Sequence, residues 1–418
     1  MPLNENFLQE LKYKTDIEDI ISTYVTLRKR GNTSVGLCPF HNEKTPSFTV
    51  YNDTQSFYCF GCGAGGDAIG FIKKIENLDY IDAVKMLAER AGMQMPQDGF
   101  DDSLSKKRRR ILEINRETAK FYHSYMMSPE GKVGYDYFIN RGLSPKTITK
   151  FGLGYAPDNW DSLLKHLRSL GFSYGEMLDA GVIKESKSNR FFDFFRNRVI
   201  TPVINVRGNV IAFGGRVLDD SKPKYLNSSD TLVYKKTNEL FALNLAKDSS
   251  SDTLILCEGY MDVIALHQAG FDNAVASLGT ALTSGHANLL KRYTKNVYLT
   301  YDSDGAGVKA ALRAIPILKE VGITTKVINM KPYKDPDEFI KALGAEEYQK
   351  RIDTAENSFM FEIRILEQQY DMHDPESKTK FYNAVAEKLC TFGEKLERDN
   401  YIAAVADKYM IGIEDLRR

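Results

Sequence analysis

"NVYLTYDSDGAGVKAALRAIPILKEVG", residues 296–322, is the stretch on which the reading of this chain turns. Apolar and β-branched residues run to two aspartates one residue apart, Asp302 and Asp304, and two glycines follow at once. Small and apolar residues then recur at helical spacing. This is a strand, a tight turn and a helix. The same unit repeats outward. "TLILCEG" leads into "YMDVIALHQAG", "NAVASLG" into "SGHANLLKRY", and "TTKVINM" closes the run. Short apolar strands alternating with helices imply a mainly parallel α/β sheet covered on both faces. In such sheets ligands sit outside the carboxyl ends of the strands, where Asp302 and Asp304 fall.

Glu258 ends "TLILCEG" and should reach the same edge as Asp302, while "KDPDEF" (334–339) adds Asp335 and Asp337 just past the next strand. Carboxylates gathered in one crevice repel one another unless a cation compensates. Oxygen donors without clustered His or Cys point to Mg²⁺ or Mn²⁺. A calcium loop opening at Asp302 would need an acid at its fifth position and Glu at its twelfth. The chain has Ala306 and Arg313 there, so that reading fails. No serine–histidine or cysteine–histidine nucleophile arrangement emerges. Cys257 lies inside an apolar strand, and His267 and His286 fall in helices with ordinary packing or surface roles.

Near the N-terminus "CPFH" and "CFGC" supply Cys38, His41, Cys59 and Cys62. Zn²⁺ takes four tetrahedral S and N ligands, and each two-residue spacing lets one turn supply two of them. All four positions are filled by protein, which predicts one structural zinc. Phe40, Phe48, Tyr51, Phe57, Tyr58 and Phe60 surround these ligands, with Arg28, Lys29, Arg30 and Lys44 nearby. Such aromatics either fill a small core or stack on unpaired bases while the cations track phosphates.

The chain has 418 residues and formal net charge zero, but the balance is uneven. Residues 111–247 hold 20 Lys+Arg against 14 Asp+Glu, and residues 248–418 hold 21 against 27. A basic middle beside an acidic C-terminal part suits a polyanion surface joined to a carboxylate centre. Within the middle, Arg196, Arg198, Arg216, Lys222, Lys224, Lys235 and Lys236 cluster with Tyr225 and Asn227. "RVITPVINVRGNVIAFGGRV" reads there as a hairpin. The five cysteines make no disulfide framework, the first residues lack the apolar core of a secretory signal, and no apolar run approaches the ~20 residues of a membrane span. A cytoplasmic setting without membrane attachment is expected.

The domains expected are 1–97, zinc-binding; 98–110, a linker around "MPQDGFDDSLSKKRRR"; 111–249, basic; 250–337, the α/β catalytic module; and 338–418, helical. The fold class is multidomain α+β and α/β: a small zinc-ribbon-type domain, a mixed α+β subdomain, the parallel-sheet module and a C-terminal helical bundle.

"LCPFHNEKTPSF", "FYCFGCGAGGDAIGFI", "YFINRGLSP", "FRNRVITPV", "GGRVL", "PKYLNS", "EGYMDVIAL", "YDSDGAG" and "DPDE" follow one another in an order that resembles the bacterial DnaG-type replicative primases. The resemblance runs nearly end to end and implies that residues 250–337 are a Toprim module. By position it assigns Glu258, Asp302 and Asp304 as catalytic acids, with Asp262, Asp335 and Asp337 as further acids of the metal centre. It assigns Arg141, Arg196, Arg198, Arg216, Lys224, Tyr225, Asn227 and Lys236 to nucleotide and template binding. It further implies a monomer that makes short RNA primers from NTPs on single-stranded DNA, releasing pyrophosphate, with Mg²⁺ on the acids and Glu258 also serving as general base. A replicative helicase is the family's partner, through a further C-terminal domain not seen among the residues here. The alternatives are a Toprim nuclease or topoisomerase, and a non-enzymatic, zinc-dependent single-strand binding module.

Overall fold

The computed structural model describes residues 5–41, 43–76, 78, 80–95 and 103–417. Its N-terminal unit packs helices Glu5–Lys14, Ile17–Ser22, Ala68–Ile75 and Tyr80–Arg90 around a five-stranded antiparallel sheet. The alternating strands fix its core. In Ser56–Cys59, Phe57 and Cys59 face inward and Tyr58 faces out. Phe48, Phe57 and Phe71 form a buried aromatic cluster with Phe40 against it. The aromatics around the zinc ligands therefore divide: Phe48 and Phe57 are core, whereas Tyr58 and Phe60 are 43% and 68% exposed.

The linker expected over 98–110 is shorter than that. Residues 98–102 lie outside the described residues, and from Ser103 the chain is helical through Met126. The basic run, which reads locally as a solvated connector, has partners in the fold. Arg110 pairs with Glu113 and Glu176, and Lys107 with Asp179, while Ile111 and Ile114 turn inward on the same helix. Acids on a neighbouring helix, invisible to a local reading, stabilise the helix over those residues. Beyond it, strands Gly154–Ala156, Arg198–Ile204, Val210–Val217 and Tyr225–Asn227 form an antiparallel sheet. The expected hairpin turns at Asn205–Asn209, with Gly208 at φ +82°.

The third unit is a six-stranded sheet in the order Leu240–Phe241, Ala274–Ser277, Thr253–Cys257, Asn296–Thr300, Thr324–Val327, Glu356–Asn357. Its four central strands are parallel and both edges antiparallel. Helix Tyr260–Gln268 packs on one face, and Ser284–Lys291 and Gly305–Glu320 on the other. The expected limits of 250 and 337 are therefore too narrow for the sheet. Its edges come from 240–241 and 356–357, and helix Pro336–Asp353 runs across the boundary set at 337. Two-residue strands carry no periodic signal of their own; pairing with the sheet edge is what makes them strands.

Helices Ser358–Glu367, Pro375–Leu389, Lys395–Tyr409 and Ile413–Arg417 close the chain around a separate core that includes Phe359, Phe381, Val385 and Ile402. Among the described residues no helix is long and apolar enough to cross a membrane.

Candidate active site and metal centre

Two turns bring the zinc quartet together. The donor atoms of Cys38, His41, Cys59 and Cys62 all lie within 4.8 Å of one another, with Cys38 Sγ to Cys62 Sγ at 3.8 Å and Cys59 Sγ to His41 Nδ1 at 3.7 Å. These match the edges of a tetrahedron whose zinc–sulfur bonds are about 2.3 Å. The donor set fits a structural zinc. Glu43, which the spacing of the ligands did not reveal, organises the site. Its Oε2 lies 3.2 Å from His41 Nε2, and its Oε1 accepts the Cys38 and Ser47 N–H groups at 2.7 and 3.0 Å. A carboxylate on the far nitrogen orients the imidazole so that Nδ1 faces the metal. Burial works against ionising Glu43, but hydrogen bonds from Ser47 and Cys38 outweigh it and hold the carboxyl below its ordinary range. Gly61 is required here, because a Cβ would lie 2.5 Å from His41 Nε2.

At the other centre, Thr253–Cys257 and Asn296–Thr300 are adjacent parallel strands with Cys257 opposite Thr300. The helix following each lies on a different face, so the strand order reverses between these two parallel strands. Glu258 and Asp302 leave the strands at this switch point, and the Asp302 N–H donates to Glu258 Oε1 at 3.1 Å. Asp304 caps the next helix, its Oδ1 accepting the Ala306 and Gly307 N–H groups at 2.9 Å; these bonds hold it below the usual carboxylate range. The Ser303 N–H bonds to the Lys334 carbonyl at 2.7 Å and so draws the "KDPDE" loop alongside. Lys334 Nζ stands 3.7 Å from Asp302 Oδ2, and Asp335 caps helix Pro336–Asp353.

Burial raises the proton affinity of Glu258 and Asp302, and the Asp302 charge adds to the effect on Glu258. Asp262 is buried and pushed up to about 8, with Asp335, Asp302 and Asp337 acting in the same direction. Uncompensated carboxylates of this kind suit a hard divalent cation. Among the described residues they form no group as tight as the zinc quartet. Asp337 stands apart, since its Oδ2 meets Arg141 Nη2 at 2.5 Å and Lys341 Nζ at 2.7 Å. The structure thus joins two residues that the sequence assigned to different tasks.

The basic groups divide in a similar way. Arg198 is buried and donates to the Pro223 carbonyl at 2.9 Å, which supports the "KPKYLNS" loop. Asn227 bridges to helix Tyr260–Gln268 beside the parallel sheet, its Oδ1 accepting the Tyr260 hydroxyl at 3.0 Å. Arg216 lies over the Tyr137 ring at 5.1 Å and near Tyr225, while Lys224, Tyr225 and Lys236 are exposed. Arg196 stacks 3.8 Å above Trp160, a 64% exposed side chain that the sequence reading passed over. Trp160 is the one tryptophan in the chain, set among charged and polar neighbours, and that isolation was the available signal.

Three family models match in succession: the CHC2 zinc finger over residues 3–102, the N-terminal domain of the DNA primase catalytic core over 121–247, and a Toprim-like domain over 255–340. A DNA primase of Clostridium acetobutylicum is 42% identical over 407 residues, covering 97% of this chain and 68% of its own length. The crystal structure of the Aquifex aeolicus primase, comprising zinc binding and RNA polymerase domains, superposes with a TM-score of 0.63 at 35% identity, covering 98% of each chain. The DnaG primase catalytic domain bound to ssDNA superposes with a TM-score of 0.63 at 31% identity, over 72% of this chain and 99% of that one. From its zinc finger through its parallel sheet, this chain belongs to the family of DnaG-type DNA primases.

Proposed function

We propose that the chain joins ribonucleoside triphosphates into RNA primers at the crevice between Glu258, Asp302 and Asp304, on a single-stranded DNA template. The observation that carries this is the meeting of Glu258 and Asp302 at the switch point of the sheet. Glu258, Asp302 and Asp304 would hold Mg²⁺ or Mn²⁺, with Asp262 and Asp335 behind them. When bound, the ion supplies charge neutralisation for the triphosphate.

The chain's own groups divide the remaining work. Asp304, whose Oδ1 accepts two backbone N–H groups, and Glu258, whose Oε1 accepts the Asp302 N–H, have their carboxylates held in place before substrate arrives. Glu258 has a raised proton affinity, which suits a base taking the proton from an attacking 3′-hydroxyl. Arg216, Lys224 and Lys236 meet phosphate oxygens, and Arg196 with Trp160 offers a stacking platform for unpaired bases. Binding of single-stranded DNA by a structurally similar catalytic domain supports the template assignment.

Purified protein with Mg²⁺, NTPs and single-stranded DNA should yield short RNA, and Asp302→Ala or Asp304→Ala should abolish it. Primer synthesis retained in either variant would remove the metal assignment. Cleavage of DNA without NTP incorporation would favour a nuclease of the same fold.

A further inference from the structure

Asp337 lies one residue beyond the start of helix Pro336–Asp353, and Arg141 caps the end of helix Lys132–Asn140 in the basic subdomain. Both cations that reach Asp337 do so at one oxygen, Oδ2. The other, Oδ1, is buried and has no hydrogen-bond partner, and the residue as a whole is 4% exposed. Mg²⁺ keeps several of its waters when it binds protein carboxylates. A carboxylate closed to solvent, with a guanidinium and an ammonium already on it, offers neither the room nor the charge for such an ion. Asp335 differs, because its carboxylate caps the helix at the surface.

The contacts continue away from Asp337 in one direction. Arg141 Nη1 donates to the Tyr137 hydroxyl at 3.2 Å, and the ring of Tyr137 lies under the Arg216 guanidinium. Arg216 in turn approaches the exposed Tyr225. A side chain as long as arginine loses much of its freedom when held at both ends of its fork.

We infer that Asp337 is a positioning residue and not a metal ligand: it fixes Arg141, and through Tyr137 it sets Arg216, as the cationic wall facing the substrate phosphates. The inference rests on the primer-synthesis reading for the identity of those phosphates. Asp337 thereby ties the basic subdomain to the carboxylate crevice.

The test compares wild type, Asp302→Asn, Asp337→Asn, Arg141→Met and the double variant Arg141→Met/Asp337→Asn. Mn²⁺ binding is followed by the electron paramagnetic resonance of the free ion, alongside kcat and KM for NTP. Asp337→Asn should bind Mn²⁺ as wild type does, whereas Asp302→Asn binds it more weakly. The KM for NTP should rise about tenfold in Asp337→Asn and in Arg141→Met, the scale of one charge-assisted hydrogen bond, and no further in the double variant. Loss of Mn²⁺ affinity in Asp337→Asn to the extent seen in Asp302→Asn would overturn the inference, as would effects on KM that multiply. Should Asp337→Asn fail to fold, the double variant leaves neither buried charge unpaired and gives the Mn²⁺ result. If wild type makes no primer, the functional reading falls while Mn²⁺ binding still decides the role of Asp337.

Discussion

Gly307 shows how closely the catalytic turn is built. A Cβ at this position would collide with the backbone carbonyl of Asp302, which cannot swing aside as a side chain can. Gly307→Ala should therefore displace the Asp302–Asp304 turn, lower stability by about 1–3 kcal/mol and abolish primer synthesis. Thermal unfolding and the primer assay together check it. Gly61→Ala should act in the same manner on the zinc quartet by pressing on His41, and the expected outcome is reduced zinc content in the purified protein. Both glycines lie inside motifs legible in the sequence. Which neighbour each one must avoid is set by the folded chain.

Helix Tyr260–Gln268 carries a titration that the crevice does not use. Burial lowers His267 from 6.5 to about 4, and its Nε2 bonds to the Ala274 carbonyl at 2.9 Å. Above about pH 6.5 both folded and unfolded states hold a neutral ring, and the packing contribution is whole. As pH falls toward 4 the unfolded state takes the proton first, so stability is lost, by about 2 kcal/mol at pH 5. His267→Gln should show a shallower decline than wild type between about pH 7 and pH 5 in urea unfolding. At the start of helix Ser162–Ser169, Trp160 under Arg196 gives a second test. Its fluorescence should respond to added single-stranded DNA, and Trp160→Ala should weaken binding about tenfold by fluorescence anisotropy, the scale of one base stacked on an aromatic ring. In the sequence the Lys/Arg run before residue 111 reads as a solvated linker, although the helix spans 103–126. Glu176 and Asp179, more than sixty residues away, are what hold it.

Across the whole molecule the zinc-bearing unit has its own core, and among the described residues it faces the rest with Phe40 and Ile75 beside Leu289 and with three ion pairs: Arg207 with Asp82 at 3.0 Å, Arg292 with Glu76 at 2.9 Å and Lys44 with Glu394 at 2.7 Å. Exposed pairs contribute little singly and weaken with ionic strength. Removal of zinc by a chelator should leave the polypeptide before residue 96 open to protease while the part from 103 onward stays resistant. Raising salt to about 1 M should loosen the docking of the zinc unit, seen as an increased radius of gyration in solution scattering, with zinc retained.

The zinc quartet, the alternating α/β unit and the placement of Glu258 and Asp302 just past strand ends, with Asp304 in the turn that follows, are legible in the amino-acid order alone. Each of these follows from local spacing: two turns that present four ligands, and short apolar strands that stop at an acid. Which charges are already paired depends on how the elements pack. Asp335 and Asp337 are two residues apart and chemically identical, yet one caps a helix at the surface while the other is buried under Arg141, 196 positions away in the chain. Spacing gives a residue its place on an element, but its partner depends on how the elements pack.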